Sequence, residues 1–124
     1  MSDYMQELEK KRDLKQKKVK AEEKRLFSIL RDIDQNKLAF VKQRVSNLAW
    51  LNISIIELSE KVDLFGTMIK YDNGGGQSGY RENPDVKTLI SYQKNANAIT
   101  RQIIDLVPST RKESMLKALM DEDE

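Results

Sequence analysis

Cysteine and histidine are both absent from the 124 residues of this chain. Disulfides and thiolate nucleophiles are thereby excluded, together with Cys/His zinc sites and the Ser-His and Cys-His pairs that need an imidazole base. Carboxylates, lysines, tyrosines and hydroxyls are the only side chains left for acid, base or nucleophilic work. Proline occurs twice and glycine five times, so long helices meet few interruptions. Aromatic residues make up 6% of the chain, and none stands within the lysine cluster near the N-terminus, so stacking of single-stranded bases is not indicated. No apolar run approaches the ~20 residues that span a bilayer, and the N-terminus lacks a signal-peptide core. The expectation is an intracellular chain of one domain, with no membrane contact and no cofactor.

Charged residues make up 34% of the sequence and apolar residues 39%, a balance that fits a helical protein better than a disordered one. The net charge of +2 is small, but its distribution is uneven. Between residues 10 and 20, Lys10, Lys11, Arg12, Lys15, Lys17, Lys18 and Lys20 face a single acid, Asp13, and Lys24 and Arg25 follow. This run lies in a first segment, 1–33, that has neither glycine nor proline and reads as one long helix from Asp3 to about Ile33, capped by Ser2 or Asp3. Leu8, Leu14 and Val19 are too widely spaced for a core stripe, whereas Leu26, Phe27, Ile29, Leu30 and Ile33 form one. The helix is therefore expected to be anchored at its C-terminal end and solvated over its basic half. A solvated face and an electrostatic footprint for a polyanion are both open readings of that half. The flanking acids Glu7, Glu9, Glu22 and Glu23 favour the first, and the acid-poor window wrapping around the helix favours the second.

A second helix is expected from Gln35 to Val62 or a little beyond, with Asp34 as its cap. Its middle, Leu48 to Leu58, is apolar almost all round, which a helix covered on one side cannot sustain in water. Leu48, Trp50, Leu51, Ile53, Ile55, Ile56 and Leu58 are accordingly the candidate oligomerisation residues. A third helix begins at Asn83-Pro84-Asp85, where an N-cap residue, a proline at the first helical position and an acid at the positive end of the dipole coincide. Val86, Leu89, Tyr92, Ala96, Ile99, Ile103 and Leu106 mark its buried face. Pro108 ends it, and Thr110 with Glu113 offers a capping box for a short last helix with Met115, Leu116, Leu119 and Met120 before the acidic tail 121–124.

The long interruption, Tyr71 to Pro84, holds four of the five glycines. Gly74, Gly76 and Gly79 satisfy G-x-G-x-x-G, but a dinucleotide cradle must follow a strand and open a helix at once. Here Tyr80, Arg81, Glu82 and Asn83 intervene, and no Gly-Lys-Ser/Thr supports a Walker loop. The segment 66–83 reads as the connection of an antiparallel helical hairpin. The pairs Asp32/Asp34 and Glu22/Glu23 could be drawn as catalytic carboxylates, but helical surface acids beside lysines are ordinarily solvated charges, and no enzyme activity is expected.

The order of elements carries a resemblance. An apolar helix ends in Glu60-Lys61-Val62-Asp63-Leu64-Phe65-Gly66. Tyr71-Asp72-Asn73-Gly74-Gly75-Gly76-Gln77-Ser78-Gly79, then Glu82-Asn83-Pro84, a polar helix and Leu106-Val107-Pro108 follow. From Gln35 to Pro108 the chain resembles the small terminase subunit of tailed bacteriophages. The resemblance implies an all-α fold with a basic N-terminal helix (1–33), a hairpin oligomerisation core (34–108) and a C-terminal helix with an acidic tail (109–124), assembled as an oligomeric ring. It implies a non-catalytic subunit of a viral genome-packaging motor in the host cytoplasm, which binds viral double-stranded DNA and recruits and regulates the large ATPase/nuclease subunit. DNA contact then falls to Lys10, Lys11, Arg12, Lys15, Lys17, Lys18, Lys20, Lys24 and Arg25, and large-subunit contact to Met115, Leu116, Leu119 and Met120. Residues 1–33 are too short for the helix-turn-helix that many such subunits carry, so phosphate contact is expected in place of groove reading. The alternative from another class is a coiled-coil scaffold or adaptor whose basic helix binds an acidic protein.

Overall fold

The computed structural model describes residues 2–107 and 109–120, the side chains of residues 109 and 110 excepted. Four helices and one β-hairpin follow in the order α1 (Ser2–Ile29), α2 (Gln35–Phe65), β1 (Met68–Asp72), β2 (Ser78–Glu82), α3 (Pro84–Ile104) and α4 (Ser109–Met120). The fold is predominantly helical, with a small two-stranded sheet.

Local chemistry explains the helix starts. The Asp34 carboxylate accepts from the Asn36 backbone N–H at 3.0 Å and caps α2. Asn83 caps α3 in the same way through Asp85, with Pro84 at the first helical position, where its missing N–H costs no helical bond. The first helix stops at Ile29, short of the expected Ile33. Residues 30–33 instead form a turn in which the Ile33 N–H bonds to the Leu30 carbonyl at 3.0 Å, so that Leu30 and Ile33 still enter the core.

Helix α2 is the centre of the molecule, packed by α1 on one side and α3 on the other, with α4 against α3 and α1. The core is Leu26, Leu30, Val41, Val45, Leu48, Ala49, Leu51, Ile103 and Ile104, closed at one end by Ile33, Val107, Met115 and Leu119. Most of the apolar circumference of α2 is thus covered within one chain. Leu48 and Leu51, expected at an interface between subunits, are buried in the subunit core.

The segment between α2 and α3, expected as a helix-to-helix connection, has strand structure of its own. It is an antiparallel β-hairpin in register Met68↔Glu82 to Asp72↔Ser78. The five-residue turn is closed by Asn73 N–H to the Gln77 carbonyl at 2.8 Å and by the Asp72 carboxylate on the Gly74 N–H at 2.8 Å. Strand, turn and strand leave no helix N-terminus at the glycines, so the nucleotide-cradle geometry is absent. Gly79 has a different reason: opposite it stands Tyr71, whose hydroxyl would lie 3.1 Å from any Cβ there. The tyrosine lies across the bare backbone.

Candidate nucleic-acid interface

Residues 2–14 of α1 are exposed throughout, and the helix docks on α2 only from Lys15 onward. That docking begins with polar contacts. Lys15 Nζ donates to Ser54 Oγ at 2.8 Å, pairs with Glu57 at 3.1 Å and stands 4.4 Å from the centroid of the Trp50 ring. Trp50, Ser54 and Glu57 follow an i, i+4, i+7 spacing on one face of α2, so a single lysine from α1 is held at three points. Further along, the Asn52 amide donates to Glu22 at 2.8 Å and Ser46 Oγ donates to Glu23 at 2.7 Å. Arg25 grips Glu22 with two nitrogens, each at 2.8 Å. Burial tends to raise the Glu22 pKa, but the Arg25 and Asn52 hydrogen bonds outweigh it and hold the carboxyl below its ordinary value.

These contacts sort the basic cluster. Lys15 is turned inward and Arg25 is committed to Glu22, while Arg12 pairs with its neighbour Asp13 at 3.1 Å on the surface. Lys10, Lys11, Lys17, Lys18, Lys20 and Lys24 are exposed, with no ion-pair partner among the described residues. Lys10, Lys17 and Lys24 recur every seven residues, and Lys11 and Lys18 do the same one position on. Heptad spacing keeps each set on one side of the helix, with Leu14 and Ala21 between them. The outward face is a lysine-rich strip that spans about 21 Å from Lys10 to Lys24 at 1.5 Å per residue. With Lys15 and Arg25 withdrawn, Lys10, Lys11, Lys17, Lys18 and Lys24 carry the positive charge of the outer face, while Arg12 and Lys20 lie on the side that faces Trp50.

Trp50 is 43% exposed although its neighbours Leu48, Ala49 and Leu51 are buried. Its ring also meets Tyr92 of α3 edge-on, with centroids 5.5 Å apart and planes at 65°. The indole separates two surface grooves. One, of about 560 Å³, is lined by Arg12, Lys15, Gln16, Val19, Lys20 and Glu23 of α1. The other, of about 470 Å³, lies between α2 and α3 and is lined by Asn47, Leu51, Asn95, Ala98, Ile99 and Gln102. No aromatic neighbours the lysines in sequence, yet the fold places one against them. The signal available beforehand was the Trp50, Ser54, Glu57 spacing, a mixed aromatic and polar face on an otherwise apolar helix.

The other expected contact residues divide. Ile55 packs against the core, Ile53 and Leu58 are half-buried, and Ile56 is exposed. In α4, Met115 and Leu119 are core residues, whereas Leu116 and Met120 face outward. The acidic tail 121–124 and Pro108 lie outside the described residues, as does the Thr110 side chain. Among the described residues no cluster of acids could hold a metal ion, and no helix is long and apolar enough to cross a membrane.

No family model matches the chain, and neither a curated protein nor a solved structure matches it.

Proposed function

We propose that this chain is a non-catalytic DNA-binding subunit, acting as a homo-oligomer in viral genome packaging as the terminase resemblance from Gln35 to Pro108 implies. The observation that carries DNA binding is the outer face of α1. Five exposed lysines without ion-pair partners among the described residues, Lys10, Lys11, Lys17, Lys18 and Lys24, line a helix whose first half projects from the bundle. Such a strip meets the requirement for phosphate contact, in which each neutralised phosphate releases condensed counterions. The contacts position a duplex without reading its sequence. Assembly rests on the apolar side chains that the subunit leaves uncovered on α2, namely Phe40, Ile56, Leu64 and Phe65. Recruitment of the large subunit rests on Leu116 and Met120, the outward residues of α4. Host cytoplasm is the corresponding location.

The test is native mass spectrometry and fluorescence anisotropy on the full chain with a 30-base-pair duplex at 50 to 300 mM salt. The expected result is an oligomer that binds the duplex, with affinity falling steeply as salt rises. A monomer that fails to bind the duplex at 50 mM salt would overturn the reading. Binding to a polyglutamate in place of DNA would favour the adaptor alternative.

A further inference from the structure

Resting on the nucleic-acid reading above, we infer that Trp50 and the two grooves beside it form a site for an unpaired nucleotide, distinct from the duplex-binding lysine strip. Sequence-tolerant capture of single strands combines cationic groups along the backbone with an aromatic surface on which a base stacks. Both are present here on one ridge. The indole is the sole tryptophan of the chain, and it remains 43% exposed in the most apolar stretch of α2. Its position is fixed from two sides, by the Lys15 ammonium on its ring and by the edge-on Tyr92. A ring held in this way loses little freedom when a base packs on it.

The walls of the grooves have complementary chemistry. On the α1 side, Arg12 and Lys20 accompany Lys15. Lys20 has no ion-pair partner among the described residues. The one carboxylate of that groove, Glu23, already accepts a hydrogen bond from Ser46. The groove between α2 and α3 carries three carboxamides, Asn47 of α2 and Asn95 and Gln102 of α3. Gln102 accepts from Arg44 Nε at 2.9 Å, which leaves its amide NH₂ to donate. Asn95 has no side-chain hydrogen bond among the described residues. Carboxamides present a donor and an acceptor side by side and pair with base edges. Phosphate toward Arg12 and Lys20, base against Trp50 and base edge toward Asn95 make one coherent arrangement. Each groove falls within the ~300–1,000 Å³ of ordinary ligand sites. The occupant is thus a single-stranded end or overhang, carried next to the helix that grips the duplex.

Trp50 fluorescence reads the site directly, because no other tryptophan contributes. The full chain is titrated with oligo(dT) of ten nucleotides, with a blunt duplex and with the same duplex carrying a ten-nucleotide overhang. The expected result is saturable quenching of Trp50 emission by the single strand and the overhang, with protection from acrylamide, and little quenching by the blunt duplex. Trp50→Leu should weaken single-strand binding by about tenfold, the scale of one lost stacking contact, and leave blunt-duplex affinity within about twofold. Asn95→Ala, at an exposed position on α3, should lower single-strand affinity while circular dichroism is unchanged. Lys17→Gln with Lys18→Gln should weaken the blunt duplex selectively, which separates the two sites. If Trp50 emission ignores saturating single strand while the blunt duplex still binds, the nucleotide site is wrong and the lysine strip stands. If neither DNA form binds, the DNA-binding reading itself falls. Emission already shielded from acrylamide without DNA would place Trp50 in a subunit contact and also overturn the site.

Discussion

The side-chain amide of Asn83 donates through Nδ2 to the Gly66 carbonyl at 2.9 Å, while its Oδ1 accepts from the Asp85 backbone N–H at 3.0 Å. The Asn83 backbone N–H also bonds to the Thr67 carbonyl at 2.8 Å. One buried residue therefore caps α3 and ties its start to the end of α2, which closes the base of the β-hairpin. An isolated two-stranded hairpin is barely stable in water. This one is held because its two ends are clamped where the long helices meet.

Replacing Asn83 by Ala should cost about 2 kcal/mol, combining a lost N-cap with a lost buried hydrogen bond. Asn83→Asp keeps the cap acceptor but not the Nδ2 donor, so it should recover only part of that loss. Chemical denaturation followed by circular dichroism measures both. Equal stability of the Ala variant and the wild type would show that the clamp contributes nothing.

Gly66 takes φ 83° and ψ 178°, a region open essentially to glycine alone. A Cβ there meets only the Met68 carbonyl oxygen at 3.9 Å, so crowding is not the obstacle. Gly66→Ala should therefore destabilise by about 1–3 kcal/mol through backbone strain. The change should be seen as faster amide exchange in β1 and β2 before any in α2.

Glu22 supplies a pH dependence. Its folded pKa lies below the ordinary value of 4.5, so the unfolded chain takes up the proton first as pH falls. The stabilisation is complete above the ordinary carboxylate range and is lost as pH drops through the lowered folded value. Glu22→Gln removes this linkage. Its stability should change less than the wild type's below pH 4.5, and it should be lower than the wild type at neutral pH, as thermal melts at pH 7, 5, 4 and 3 would record. Asp32 is held below its ordinary value by the Arg111 hydrogen bond, but it lies on the exposed surface, where solvent screens the pair, and adds no comparable limb.

The starts of α2 and α3 were legible in the sequence because Asp34 and Asn83-Pro84-Asp85 act through hydrogen bonds to residues two positions away. Local chemistry decided them. The basic run was also legible, though not its division. Lys15 is drawn inward by Trp50, Ser54 and Glu57, which lie 35 to 42 residues further along the chain, and no spacing within α1 announces that. Docking of α1 through Lys15, Glu22 and Glu23 is polar, so apolar periodicity gave no sign of it. The β-hairpin was hidden for another reason. Each strand has five residues, only Ile69, Tyr71 and Gly79 turn toward any cover, and the pairing register depends on the Asn73–Gln77 turn rather than on an alternating pattern.

The division of the cluster predicts opposite behaviour for two lysines three positions apart. Lys18→Gln removes an exposed charge and should lower the salt slope of duplex binding by about one unit without changing stability. Lys15→Gln should leave the slope nearly unchanged and cost about 1 kcal/mol, because the ammonium serves Glu57 and the Trp50 ring rather than solvent. Anisotropy titrations at several salt concentrations, paired with melts of each variant, separate the two effects. A slope reduced equally by both substitutions would mean that Lys15 leaves α2 to reach DNA.

A second pair of substitutions separates core from assembly surface. Leu51 is 8% exposed and Ile56 is 43% exposed, and at 3.6 residues per turn the two lie well apart around α2. Leu51→Ala should cost about 2–4 kcal/mol through the cavity it leaves, whatever the oligomeric state. Ile56→Glu places a charge on an open surface, so the isolated subunit should keep its helicity and its duplex-binding strip. If Ile56 faces a neighbouring subunit, the same charge is stranded in an apolar contact and the assembly should dissociate in light scattering at micromolar concentration. An Ile56→Glu chain that retains the mass of the wild-type oligomer would move the interface elsewhere, and Leu64 and Phe65 at the exposed end of α2 would then be the next positions to charge.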